Sequence, residues 1–231
     1  MRIYNVSYAT VKPEGMGVWD SHGWQNINHV NIDTFRPESS EHRPETSVKL
    51  AYDEHKIYGI FRVRDKYVHC TRTRYQDPVC KDSCVEFFVQ PKPPPAEPSK
   101  KLSGYFNFEF NCGGTLYCSY ITDPQIINHT FKEIVMLPPE DGSQVRIFHS
   151  LPEVIDPEIT LPVEWFLEFS IPLSLLEKYV GSIGNLKGQK WRANFYKCAS
   201  DTSHPHWASW SPVDKLNFHL PNCFGTIVFM E

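Results

Sequence analysis

The chain predicts an all-β protein, an antiparallel, jelly-roll-like β-sandwich with one short helix. Alternation of apolar and polar residues with period two recurs along the sequence, while long helical periodicity is almost absent. Many short strands joined to a single helical turn favour a sandwich over an α/β arrangement. The length of 231 residues lies within the range that such sandwiches reach as single units.

Taken in order, residues 46–52 (Thr-Ser-Val-Lys-Leu-Ala-Tyr) read as a strand, Asp53-Glu54-His55 as a turn, and Ile57 to Arg64 as the second arm of a hairpin. Further strands are predicted at 84–90, 105–111, 115–121, 131–137, 145–150, 165–171, 190–198 and 225–229. A helix fits 173–180, with Ser174 able to cap its start. The proline-rich stretch 91–98 has strands of similar character on both sides. It reads as a stiff surface loop, because proline removes ladder donors and favours extended backbone. No internal repeat interrupts the pattern, so residues 1–231 read as one domain.

Composition narrows the function. The net charge of −4 is spread along the chain, not gathered into the basic clusters that nucleic acid demands. No apolar run approaches the ~18 residues of a membrane span. The start, Met1-Arg2-Ile3-Tyr4-Asn5-Val6, lacks the apolar stretch of a secretory leader, as expected of a cytoplasmic protein or a mature exported form. Seven cysteines stand at irregular spacing without a C-x-x-C pair, and read as reduced thiols acting as small buried hydrophobes. Asn5-Val6-Ser7 and Asn128-His129-Thr130 match the glycosylation sequon.

The strand faces carry the functional signal. In Tyr105-Phe106-Asn107-Phe108-Glu109-Phe110-Asn111 the three phenylalanines share one face, and Asn107, Glu109 and Asn111 the other. In 84–90, Val85, Phe87 and Val89 point one way and Glu86 the other. In 190–198, Trp191, Ala193 and Phe195 point inward, leaving Arg192, Asn194 and Tyr196 opposite. If these strands are neighbours, Glu86, Glu109, Arg192 and Asn194 form one polar platform, suited to hydrogen bonding with sugar hydroxyls. Aromatic residues reach 14% of the chain, and aromatic rings stack on the apolar faces of sugars. Residues 204–212 look loop-like: Trp207 is a stacking candidate, and Trp210 more a plug for the end of the sandwich. His204 and His206 read as solvated loop surface, so no metal ligand set is predicted.

Asp82-Ser83-Cys84-Val85-Glu86-Phe87-Phe88 resembles the D-S-x-V-E-[IF]-F strand of family 9 carbohydrate-binding modules. The likeness extends through 46–53, 57–63, Ala208-Ser209-Trp210-Ser211-Pro212 and 217–225, and spans about Trp24 to Phe229. It implies a β-sandwich that binds the ends of plant polysaccharides or oligosaccharides without cleaving them, usually beside a glycoside hydrolase. It also implies two tryptophans clamping a terminal sugar. Here Val79 and Cys80 stand where one is expected, leaving Tyr75 as the nearest aromatic, and Phe218 stands for the other. Glu86 matches an acidic ligand-binding residue, whereas Glu109 occupies a basic position of the family. Structural calcium is the one cofactor the resemblance allows, although no compact Asp-rich loop marks a site. The expected sugar-binding set is therefore Tyr75, Glu86, Asn107, Glu109, Asn111, Arg192, Asn194, Trp207 and Phe218. The alternatives are a sandwich interaction module that has lost its sugar site, a glycoside hydrolase built on Glu86 and Glu109, and a metal-dependent enzyme.

Overall fold

The computed structural model describes residues 2–91 and 104–231. The strands are β1 (Ile3–Tyr8), β2 (His29–Asn31), β3 (Thr34–Phe35), β4 (Glu45–Tyr52), β5 (Lys56–Asp65), β6 (Val68–Cys70), β7 (Cys84–Gln90) and β8 (Tyr105–Asn111). They continue with β9 (Leu116–Ile127), β10 (Thr130–Met136), β11 (Arg146–His149), β12 (Ile155–Ile159), β13 (Val163–Pro172), β14 (Lys190–Ala199), β15 (His206–Ser209) and β16 (Gly225–Phe229). Among the described residues two α-helices accompany them, α1 (Pro139–Gly142) and α2 (Leu173–Val180). None is long and apolar enough to cross a membrane.

One sheet runs β10-β9-β8-β7-β14-β16-β1, with β15 also paired to β14 and β3 to β15. The other runs β1-β4-β5-β13-β11, with β2 on β4. The strand β1 serves both. Residues Ile3 to Val6 pair parallel with β16, and its last two residues pair parallel with Ala51 and Tyr52. The other ladders among the described residues are antiparallel. The alternation seen in the sequence fills the space between the sheets. Phe106, Phe108 and Phe110 are fully buried, Phe87 stacks on Phe195 at 5.3 Å, and Phe110 of one sheet meets Phe169 of the other at 5.1 Å. Each such ring contributes about 1.5–3 kcal/mol through burial. Trp210, 2% exposed, packs against Phe195 and Tyr4 and plugs the core as expected.

The predicted limits of β7, β8, β16 and α2 match residue for residue. The strand expected at 115–121 runs on to Ile127 and turns back into β10 through Asn128 and His129, both at positive φ, as a tight hairpin requires. Ser174 does not cap α2. It lies inside the first turn, which begins at Leu173 after Pro172, and the Leu173 N–H donates to the His55 carbonyl at 2.8 Å. The expected loop at 204–212 contains β15, because β14 and β3 offer that segment two ladders its own pattern does not announce. Of the proline-rich 91–98, Pro91 is described and buried, and the rest lies outside the described residues.

His206 also departs from expectation: it is fully buried, not solvated. Lys197 shares the inward face of β14 with Phe195, and its ammonium lies 2.8 Å from His206 Nε2 and 3.3 Å from Asp65 Oδ2. His42 Nε2 closes on Asp65 Oδ1 at 2.7 Å. Burial resists ionisation of Asp65, but Lys197 and His42 outweigh it and hold the carboxyl below its usual range. Burial, seconded by Lys197, pushes His206 down to about 3, so its imidazole is neutral.

Candidate functional site

The structure makes β7 the middle strand of β8-β7-β14, so the three polar faces inferred from sequence do adjoin. Register places Glu86 directly opposite Glu109 on one side and Tyr196 on the other. Residues 213–224 fold across this outer face. Phe88, Tyr105, Tyr196, Val213 and Phe224 form a second apolar cluster beneath them. Tyr196 anchors the covering segment twice, stacking on Phe218 at 4.0 Å and donating its hydroxyl to the Phe218 carbonyl at 3.0 Å.

A cavity of about 200 Å³ opens between this segment and the sheet. Glu86 and Glu109 form its acidic side, and Trp207 and Phe218 are its aromatic walls. Cys80, Cys198 and Ser200 close one flank, and Leu216, Asn217 and His219 the other. Both aromatic walls are half-buried, leaving ring surface for a ligand. The position where the resemblance expects a tryptophan is thus at the cavity, but Cys80 offers no ring there, and Trp207 from β15 supplies one.

Burial raises Glu86 well above the usual carboxyl range, and the Cys198 thiol, 3.2 Å from Oε1, together with Glu109 adds to the effect. Glu109 is raised to about 7 by burial, partly offset by the Asn107 amide donating to Oε1 at 2.8 Å. His219 is lowered to about 4 by burial. Burial therefore favours the uncharged forms of Glu86, Glu109 and His219 in this cavity. That set can donate to and accept from hydroxyl groups without a strong net charge.

Of the nine residues expected at the site, Glu86, Glu109, Trp207 and Phe218 line the cavity. Asn107 lies behind it: its amide holds Glu109 while its Oδ1 accepts from the Ser119 N–H at 2.9 Å and from the Ser119 hydroxyl. The other four are placed elsewhere. Tyr75 donates to the Leu137 carbonyl at 2.8 Å and lies so tightly on Gly142 that a Cβ there would come within 2.4 Å of the ring. Asn111 bonds Asp82, the Arg72 carbonyl and the Thr115 N–H. Asn194 spends both ends of its amide on the backbone of Ser211. Arg192 donates to the carbonyls of Pro221, Asn222, Phe224 and Gly225. Alternation assigned Asn111, Asn194 and Arg192 to the correct side of their strands, but their hydrogen-bonding capacity is committed to the fold; Tyr75, taken from the resemblance, lies in a turn. Leu216, Asn217, His219 and Ser200 were missed, since they come from loops whose fold over the sheet has no periodic signal.

A larger concavity of about 490 Å³ lies among Tyr8, Tyr52, Asp53, Glu54 and the segment Gly184–Lys187. Its acidic groups are engaged: Asp53 accepts from His55, Lys56 and Tyr58, and Glu54 from Tyr8. Calcium calls for six to eight oxygen ligands. Among the described residues no three carboxylates bring oxygens within 4.8 Å of one another.

The same fold recurs among solved structures of known proteins. The chain is similar to a candidate carbohydrate-binding protein from Bacteroides uniformis ATCC 8492, at 28% identity and a TM-score of 0.81, with 99% of each chain covered. It shares its fold with a family 9 carbohydrate-binding module from Caldicellulosiruptor kristjanssonii. The module's complex with cellotriose aligns at 16% identity and TM-score 0.65, covering 99% of this chain and 94% of the module. Its complex with glucose aligns at 15% and 0.62, covering 99% and 95%. Among curated proteins none matches significantly. The model of carbohydrate-binding family 9 matches residues 20–229, nearly the whole chain, and the protein belongs to that family.

Proposed function

We propose that this protein binds the terminal unit of an oligosaccharide or polysaccharide of plant type, without cleaving it, in support of carbohydrate catabolism. The observation that carries the reading is the juxtaposition of Trp207 and Phe218 with Glu86 and Glu109 around one small cavity. Aromatic walls suit the apolar faces of a sugar ring, and the carboxyls suit its hydroxyls. A volume of about 200 Å³ falls below the ~300–1,000 Å³ of typical ligand pockets, which favours one ring at a chain end over an extended chain. The cellotriose and glucose held by the Caldicellulosiruptor module support a glucan end as the first ligand to test. A glycoside hydrolase is the companion expected of such a module.

Calorimetry with cello-, xylo- and manno-oligosaccharides and their reduced forms tests the reading. Saturable binding to one series is expected, and its loss on reduction would place recognition at the reducing end. Trp207→Ala should weaken binding by at least about tenfold, the scale of one aromatic contact worth ~1.5 kcal/mol. Absence of binding to every series by demonstrably folded protein would overturn it in favour of an interaction module, the reading that Cys80 in place of an aromatic supports. Turnover of an aryl glycoside, abolished by Glu86→Gln or Glu109→Gln, would instead make the protein a hydrolase.

A further inference from the structure

Cross-strand register does something at this site that sequence spacing conceals. Cys84 and Cys198 stand directly opposite each other on β7 and β14, and Glu86 follows on the same face of β7. The two thiol sulfurs and a Glu86 oxygen lie within 4.8 Å of one another, and all three residues are buried. The Cys198 sulfur is already 3.2 Å from Glu86 Oε1. A third cysteine, Cys80, borders the same cluster from the 3₁₀ turn Val79–Lys81 and lines the cavity together with Cys198 and Glu86.

We propose that Cys84, Glu86 and Cys198 bind a borderline divalent cation of the zinc type, with the cavity supplying the fourth ligand. Two sulfur donors and one carboxylate oxygen match the preference of zinc, and a tetrahedral ion with bonds of ~2.3 Å to sulfur and ~2.0 Å to oxygen sets its donors roughly 3.5–3.8 Å apart. The observed spacing needs only small side-chain rotations to close on that value. Three ligands on two hydrogen-bonded strands are pre-arranged by the sheet. The cavity gives an entry path, and its open side admits water, a ligand hydroxyl or the Cys80 sulfur. The competing account, small buried thiols filling space, explains one cysteine at a time. It does not explain why three of the seven meet at a carboxyl group.

The test is a titration of reduced, chelator-stripped protein with cobalt(II) and then zinc. One equivalent of cobalt is expected to give sulfur-to-metal charge-transfer absorption, displaced by one equivalent of zinc. Cys84→Ser and Cys198→Ser should each abolish that absorption and lower zinc affinity at least about tenfold. Because a buried serine could unsettle the sheet, zinc X-ray absorption on the unmutated protein provides a second readout, with two or three sulfurs expected near 2.3 Å. A zinc shell of nitrogen and oxygen alone, or cobalt absorption that survives both substitutions, would overturn the proposal. The titration uses no sugar and the calorimetric screen is run in chelator, so this inference and the glycan reading fail separately.

Discussion

Glu109 shows how burial tunes a single group at this site. Its carboxyl, raised to about 7, is neutral in acid and ionised in mild base. Ionised oxygens accept stronger hydrogen bonds from hydroxyls. Glycan affinity should therefore rise between pH 6 and pH 8, and Glu109→Gln should flatten that profile in calorimetry. Tyr75 makes the opposite point. Its hydroxyl serves the Leu137 carbonyl and its ring lies outside the cavity, so Tyr75→Phe should leave glycan affinity unchanged while lowering stability by about 1 kcal/mol. Asp65 is buried beside Lys197 and His42. Asp65→Ala would leave the Lys197 ammonium buried without its counter-charge, and should cost about 3–5 kcal/mol in urea unfolding.

Among the elements, the segment 213–224 depends on two side chains that sequence assigned to ligand binding. Arg192 ties the carbonyls of Pro221, Asn222, Phe224 and Gly225 to β14 at the segment's end, and Asn194 ties Ser211 just before its start. Arg192→Met should cost about 1.5–3 kcal/mol, since hydrogen bonds to a charged donor are lost. It should also speed amide exchange across 218–225 and weaken glycan binding through Phe218, which this segment carries. Unchanged exchange there would show that stacking on Tyr196 alone holds the segment. The strand β15 has a similar dual part. Four residues long, it points His206 into the buried charge cluster and leaves Trp207 at the cavity.

For the whole molecule, the buried ionisable groups set the response to acid. His206 titrates at about 3 in the fold against 6.5 when exposed, so the unfolded chain takes up its proton first. Its contribution to stability is present above pH 6.5 and is lost as pH falls from there toward 3. Asp65, held below its ordinary 3.8, adds a loss of the same sign at lower pH. Glu109 acts in the other direction: its contribution is present below 4.5 and lost as pH rises through about 7. Between pH 6.5 and pH 4 the proton taken up by His206 on unfolding lowers stability by up to about 1.4 kcal/mol per unit. His219 adds to that loss, and the protons that the fold holds on Glu109 and Glu86 oppose it. His206→Gln should shift the slope of urea-derived stability against pH over that range by up to about 1.4 kcal/mol per unit, toward greater stability in acid than the unsubstituted protein shows.

The sequence by itself determined which residues face inward. Period-two alternation in 84–90, 105–111 and 190–198 divides each strand into an apolar and a polar side, and burial of the apolar side leaves the chain little choice of fold class. It also named Glu86, Glu109, Trp207 and Phe218 as expected binding residues, and the structure brings these four together around one cavity. Tertiary structure alone decided which polar side chains remain available to a ligand. Asn111, Arg192 and Asn194 lie on the polar side, yet the fold consumes their donors and acceptors, because backbone groups of covering loops must be paired once they leave water. Strand register, which no local pattern encodes, brought Glu86 against Glu109 and Cys84 against Cys198.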